Sequence, residues 1–306
     1  MNTFSNKFKT YLSMGLRVFT NKPKADNNGD FVENEENIIP WTPLTKPISR
    51  ARFALVSTAG VHLLSQEAFN RNSGGDPSYR EIYSSDIAPK GHVVNTCFEH
   101  RVSDDDNTNL FPVEYLNELA TTGKIGFANY RHFSFYGHLF GYKLAELVHG
   151  YLPKVIASLK SDEVDVVILT SNCRRCDHTM RIIQRVLESA GLVTIAITRF
   201  SSGKDTVAVP RSLYVVPVSK TVGNGNSDMK SELKVIMGEV IKHLAFTDKP
   251  GLQSYVSKYS AHRPDIVKDE SSKTNQHDSQ VSDFEPFERA HNKVEDFAWT
   301  AYVKYY

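Results

Sequence analysis

Apolar and polar positions along this chain switch between two periods, and the switches lay out its elements. Residues 164–169 form an aliphatic run broken only by Asp165. Such a run reads as a strand buried on both faces, as in a parallel sheet. A polar turn follows at Thr170 to Asn172. Then Met180, Ile183, Val186, Leu187 and Ala190 recur at helical spacing, with Ile182 beside them and Gly191 as a stop. The same alternation predicts strands over residues 53–58, 93–98, 125–128, 192–198 and 213–217. It predicts helices over 111–119, 139–160 and 231–244, with Pro112 suited to a first turn. Alternating strands and helices imply an α/β fold, a layered and mostly parallel sheet with helices on both faces. In such sheets ligands bind beyond the carboxyl ends of the strands. Gly60, His132 and Cys173 each follow a predicted strand, so the pattern predicts that they converge on one crevice.

Three parts emerge. Residues 1–38 are an arm in which Phe4, Phe8, Leu12, Leu16 and Phe19 share one helical face, followed by a polar, acidic linker. That face reads as docking on its own domain or a partner subunit, or as a membrane-surface helix. Residues 39–247 carry the α/β pattern. Residues 248–306 read as a polar linker and an aromatic tail with Phe287, Phe297, Trp299, Tyr302, Tyr305 and Tyr306. Within the middle part, residues 59–62 read as a turn in which Gly60 lets a ligand approach the backbone. Residues 70–91 read as a long polar loop, either functional or a surface excursion.

Charge narrows the classes. Lys plus Arg number 36 and Asp plus Glu 35, so no basic face calls for nucleic acid. No apolar run approaches the ~20 residues that span a bilayer, and no secretory signal is evident. Three cysteines, two of them in C-x-x-C, argue against a secreted disulfide framework. The expected compartment is the cytoplasm.

The chemistry centres on Cys173 and Cys176, where a predicted strand hands over to a helix. Unpaired N–H groups and the positive dipole end favour a thiolate there. Arg174 and Arg175 add positive charge, so the pattern predicts a lowered thiol pKa. The spacing lets the second thiol close a disulfide after the first has attacked. Two other readings stand beside this one. A zinc site needs further ligands, and only the distant Cys97 and nearby His178 offer themselves. Alternatively, the pair is two inert cysteines at a strand end. His132 and His138 read either as proton carriers or as hydrogen-bonded structural histidines. Asp104 to Asp106 reads as a solvated turn.

Several motifs, taken together, resemble a known family. They are residues 54–62 (ALVSTAGVH), Ser65 to Phe69, Gly75 to Ile82, Phe111-Pro112, Gly123 to Gly126, His132 to Gly137, residues 169–176, Ala190-Gly191, Pro210-Arg211 and Gly223. In this order they resemble the selenoprotein B family, which includes glycine, sarcosine and betaine reductases and the selenoprotein subunit of D-proline reductase. The resemblance covers about residues 39–245. It implies a reductive C–N cleavage of an amino-acid-type substrate, with Cys173 in place of selenocysteine and Cys176 resolving. It implies a pyruvoyl group on a partner subunit as electron sink, no cofactor bound by this chain, a thiol reductant, and a homo- or hetero-oligomer. His62 or His132 is the expected proton donor. Gly60, Arg80, Ser134 and Thr170 lie in the shared motifs and are the substrate-binding candidates. Asp177 stands where the family tends to have histidine, and Ser219 where it has glycine, which leaves the substrate open. A general dithiol carrier and a non-catalytic assembly subunit are the alternatives.

Overall fold

The computed structural model describes residues 39–72, 74–87, 93–95, 111–171, 173–200, 209–215, 226–248 and 250–255. The arm, Cys97, Asp104 to Asp106, Ser219, Gly223 and the aromatic tail lie outside the described residues.

Ten strands are described: β1 (Arg52–Ser57), β2 (Val61–Leu63), β3 (Tyr79–Tyr83), β4 (Val93–Asn95), β5 (Phe127–Ala128), β6 (Arg131–Phe135), β7 (Val166–Thr170), β8 (Val193–Thr198), β9 (Arg211–Val215) and β10 (Gly251–Tyr255). Eight of them form one sheet, in the order β10-β9-β8-β7-β1-β6-β3, with β5 also paired to β1. Every pairing in it is parallel except β3 against β6. The α/β fold expected from the alternation is the fold observed. β7 is buried at all five positions, as its aliphatic run requires.

The helices are α1 (Ser84–Ile87), α2 (Val113–Thr121), α3 (Tyr142–Glu146), α4 (Leu152–Ser161), α5 (Arg174–Ser189) and α6 (Asn226–Phe246). α2 and α6 pack with Phe53, Leu55, Val166, Ile168 and Ile195 on one sheet face. α4 and α5 pack with Val56, Phe133, Phe135, Val167 and Leu169 on the other. No helix of the described residues is long and apolar enough to cross a membrane.

Several elements differ from the sequence reading. The single helix expected over 139–160 is broken: a π-helical turn at Leu147–Tyr151 separates α3 from α4, whose first turn holds Pro153. A proline there gives up no hydrogen bond within α4. The polar loop of 70–91 contains β3 and α1, and the turn of 59–62 runs into β2. The sheet continues past residue 247 into β10. Mixed polar and apolar strands such as Tyr79–Tyr83 lack the aliphatic signature that marks a central strand.

A buried ion pair clamps the carboxyl end of α5 to the sheet. The Glu188 carboxylate accepts from Arg211 Nη1 at 2.6 Å, from Thr42 N at 2.6 Å, and from both the backbone N and Oγ1 of Thr194 at 2.8 and 2.9 Å. Arg211 also donates to Thr42 O and lies 3.4 Å over the Trp41 ring. The extended 40–43 segment is thereby tied across the base of α5. Removing one partner leaves the other charged and buried, so Arg211→Ala is expected to cost about 3–5 kcal/mol of stability. Denaturant unfolding of the wild type and the variant measures this.

Candidate functional site

Three adjacent parallel strands deliver their carboxyl ends to one place. β1 lies between β6 and β7, so residues 58–60 and 136–138 emerge side by side with Ser171 and Cys173. Backbone bonds stitch them together. Thr58 N donates to Thr170 O at 3.0 Å, and Gly60 N donates to Phe135 O at 2.9 Å. Ala59 bridges Tyr136. Gly60 and Cys173 follow strands that end together here, whereas His132, expected to join them, lies within β6.

Helix α5 starts at these strand ends. Cys173 is its N-cap, with extended φ −138° and ψ 168°, and its Sγ accepts from Cys176 N at 3.3 Å. A sulfur thus occupies the place usually taken by a serine or aspartate oxygen. Cys176 Sγ lies 3.0 Å from Cys173 Sγ, and His138 Nε2 lies 3.0 Å from the same Cys173 sulfur. Cys173 therefore meets a backbone N–H, an imidazole and a second thiol at the positive end of a helix, the groups that stabilise a thiolate. Both sulfurs are buried, at 1% and 0% exposure.

Two glycines make this packing possible. A Cβ on Gly137 would fall 2.5 Å from Cys176 Cα and 2.7 Å from Thr58 O. A Cβ on Gly75 would fall 2.2 Å from His138 O, and Gly75 has φ +94°. The Gly74-Gly75 turn thus presses directly on the His138 backbone, which gives the polar loop of the sequence reading a structural task. Cross-ties complete the frame: Thr58 Oγ1 donates to Cys176 O at 2.8 Å, and Thr179 Oγ1 donates to Gly137 O at 2.7 Å.

Asp177 follows Cys176 in the first turn of α5 and is 2% exposed. Its carboxylate accepts from Arg181 Nε at 2.6 Å, Thr198 Oγ1 at 2.6 Å and Ser171 Oγ at 3.3 Å. One side chain ties the start of α5 to the ends of β7 and β8. The Asp-to-Arg spacing of four on a predicted helix is the signal that points to this pair in the sequence.

The candidate residues separate into groups. Cys173 and Cys176 meet, and Gly60 and Thr170 lie in the stitched strand ends. His62 and Arg80 connect to the cysteines through a row of rings. His62 stands edge-on to Phe69 at 6.1 Å, Phe69 stacks on Tyr136 at 6.2 Å, and Tyr136 lies 5.4 Å from His138. Arg80 sits 4.3 Å over Phe69. Burial pushes the His62 pKa down, and the charges of Arg80 and Arg71 add to it. His178 is exposed on the outer side of α5.

His132 and Ser134 are placed differently. They alternate with Phe133 and Phe135 along β6, whose rings pack beneath α4 and α5. His132 therefore points to the other sheet face, where it meets the Phe111 ring edge-on. It is fully buried, and its Nδ1 accepts from Leu55 N at 3.1 Å. That bond leaves the proton on Nε2, which donates to Ser84 Oγ at 3.1 Å. The imidazole fills a gap in the β1 ladder between β5 and β6. Ser134 Oγ is buried without a hydrogen-bond partner among the described residues. The histidine at the sulfur is His138. The sequence reading placed a strand at 125–128 and so set His132 at its carboxyl end. The main strand is β6, ending at Phe135, and it puts His138 there instead.

No family model and no solved structure matches this chain. Among curated proteins it is similar to D-proline reductase subunit gamma of Acetoanaerobium sticklandii, 29% identical over 188 residues, covering 61% of this chain and 76% of that protein. It is also similar to glycine reductase complex component B subunit gamma of Symbiobacterium thermophilum, 26% identical over 193 residues. The same subunit of Carboxydothermus hydrogenoformans is 25% identical over 193 residues. Both of these matches cover 61% of this chain and 43% of the relative, so the chain spans less than half of the matched glycine reductase subunits. The resemblance read from the motifs is thus matched by reductase-complex subunits of both kinds.

Two measurements check this geometry. Gly137→Ala is expected to displace the start of α5, exposing both thiols to alkylation in the native state and lowering the melting temperature. Burial lowers the His132 pKa from 6.5 to about 3. A depressed pKa contributes stability that is present above pH 6.5 and is lost as pH falls toward 3. Stability is expected to fall by up to about 1.4 kcal/mol per pH unit across that window. His132→Gln is expected to flatten this slope in denaturant titrations at each pH.

Proposed function

We propose that this chain is the thiol-bearing subunit of a reductase assembly and cleaves a C–N bond of an amino-acid-type substrate. The carrying observation is the Cys173 sulfur, which has His138 Nε2 and Cys176 Sγ each at 3.0 Å and sits at a helix N-terminus. The similarity to subunits of D-proline and glycine reductases supports the reaction class.

In this proposal the Cys173 thiolate attacks the carbon bearing nitrogen. A C–S bond forms, the C–N bond breaks, and the departing nitrogen takes a proton from His138. The Cys176 thiolate then attacks the Cys173 sulfur. An S–S bond forms, the C–S pair stays on carbon, and that carbon takes the proton given up by the Cys176 thiol. Two thiols become one disulfide, and the substrate gains two electrons and two protons. An external thiol reductant restores the pair, and a reducing cytoplasm keeps it ready. The residues of this chain supply the nucleophile, the resolving thiol and both protons. The electron-withdrawing group that activates such a carbon is a pyruvoyl group on a partner subunit, outside this chain. Cys173 acts here in the place of a selenocysteine.

A general dithiol carrier is the second reading. Exchange with protein disulfides needs an accessible attacking sulfur. The burial of Cys173 therefore favours a small substrate over a protein disulfide.

The test uses the full chain with its co-purified partner, reduced and assayed on D-proline for an amine product and on glycine for ammonia. Cys173→Ser is expected to abolish turnover while the assembly stays intact. His138→Ala is expected to lower the rate by about 10²–10⁴-fold, the usual weight of a proton-transferring group. Mass spectrometry after alkylation should find the 173–176 disulfide once substrate has turned over. Full activity of Cys173→Ser overturns the proposal.

A further inference from the structure

In the sequence the two cysteines are half of a metal site, with only the distant Cys97 and the nearby His178 as further ligands. The fold supplies the partner. His138, Cys173 and Cys176 place their ligand atoms within 4.8 Å of one another, and all three side chains are buried. We propose that the reduced pair binds a zinc ion through Cys173 Sγ, Cys176 Sγ and His138 Nε2, with one coordination position left open, and that this ion and the disulfide exclude each other.

The donor set argues for zinc. Two thiolates and an imidazole are ligands of a soft or borderline d¹⁰ ion. Charge argues for a divalent one. Two buried thiolates carry two negative charges into a site from which water is excluded, which is costly. A divalent cation between two thiolates and a neutral imidazole brings the sum to zero. A monovalent ion leaves one charge uncompensated.

Spacing argues that the site serves both states. A disulfide needs sulfurs about 2.05 Å apart. A zinc tetrahedron, with Zn–S of about 2.3 Å and Zn–N of about 2.0 Å, sets its sulfurs about 3.8 Å apart and its nitrogen about 3.5 Å from each sulfur. The observed sulfur–sulfur separation is 3.0 Å, between the two limits, and His138 Nε2 lies 3.0 Å from Cys173 Sγ, within about 0.5 Å of the tetrahedral value. Side-chain rotations of under about 1 Å at each atom reach either arrangement. A disulfide sulfur is no longer a thiolate donor, so oxidation releases the ion and a bound ion blocks oxidation. The ligand-bearing segments are held for this. Cys176 is anchored by Thr58 through its carbonyl, and Gly137, next to His138, is anchored by Thr179. Cys173 Sγ keeps the N–H of Cys176. Such outer contacts orient ligands and tune their affinity.

The chain is reduced without oxygen and titrated with Co²⁺ as a spectroscopic stand-in, then with Zn²⁺. One equivalent of Co²⁺ is expected to give sulfur-to-cobalt absorption in the near ultraviolet together with intense tetrahedral bands, and Zn²⁺ is expected to bleach them. Zinc is expected to protect both thiols from alkylation and to slow diamide oxidation to the disulfide more than tenfold. His138→Ala and the bulkier His138→Gln are each expected to weaken cobalt binding by at least the roughly 100-fold that losing an outer-shell partner costs. Absence of the bands in the wild type overturns the proposal. So do bands that persist unchanged in Cys173→Ser, which would place the ion elsewhere. The redox reading fails separately: a chain that binds Co²⁺ but never forms the 173–176 disulfide overturns that reading and leaves the metal site standing.

Discussion

Close contact between Gly137 and the first turn of α5 is the constraint on which the site depends. With no Cβ at that position, the segment leaving β6 comes within van der Waals reach of Cys176 Cα and of Thr58 O. The same contact carries His138 to the Cys173 sulfur one residue later. A second glycine, Gly75, presses on the His138 carbonyl. The histidine is therefore held by backbone packed against backbone, which has few alternative arrangements. A side chain at either glycine would move it away from the sulfur, and small displacements at such a centre are costly to chemistry.

Helix α5 is fixed at both ends by buried charge. Asp177 binds Arg181, Thr198 and Ser171 at the start, and Glu188 binds Arg211, Thr42 and Thr194 at the end. Such pairs add little net stability over apolar residues of similar size. Their partners are spread over β7, β8, β9 and the entry segment, so they define one position for the helix. Burial pushes the Glu188 pKa up and the Arg211 pKa down. The surrounding donors and the opposite charge counter that shift. The charged face of α5 is consequently as enclosed as its apolar face. The periodicity of Met180, Ile183 and Val186 identifies only the apolar one.

The two histidines of β6 and its exit show how position decides chemistry. His132 is enclosed by apolar neighbours and occupied at both ring nitrogens, which suits a structural acceptor for a strand N–H. His138 faces a sulfur at the positive end of a helix. The residue type is the same, and a strand boundary separates the roles. The dithiol carries a similar ambiguity. Sulfurs 3.0 Å apart beside an imidazole suit a redox pair and a soft-metal ligand set alike. Which of the two is realised depends on what reaches the site.

By itself the sequence determined the class of fold and the place of the cysteine pair at a strand end. A long aliphatic strand with a helical pattern behind it requires burial on both faces, and local propensity places Cys173 where the strand ends. Hydrophobic periodicity is a local property, so it is visible in one chain segment at a time. Only the tertiary structure decided that β6 and β7 flank β1. That neighbourhood brings His138, 35 residues away in sequence, to Cys173. Only the tertiary structure turned His132 to the opposite face, because an alternating strand reverses its facing with each residue and no local signal fixes the register. The burial of Asp177, Arg181, Glu188 and Arg211 was likewise decided there. Charged residues at helical spacing look solvent-facing until the strand ends and the Thr42 segment close over them.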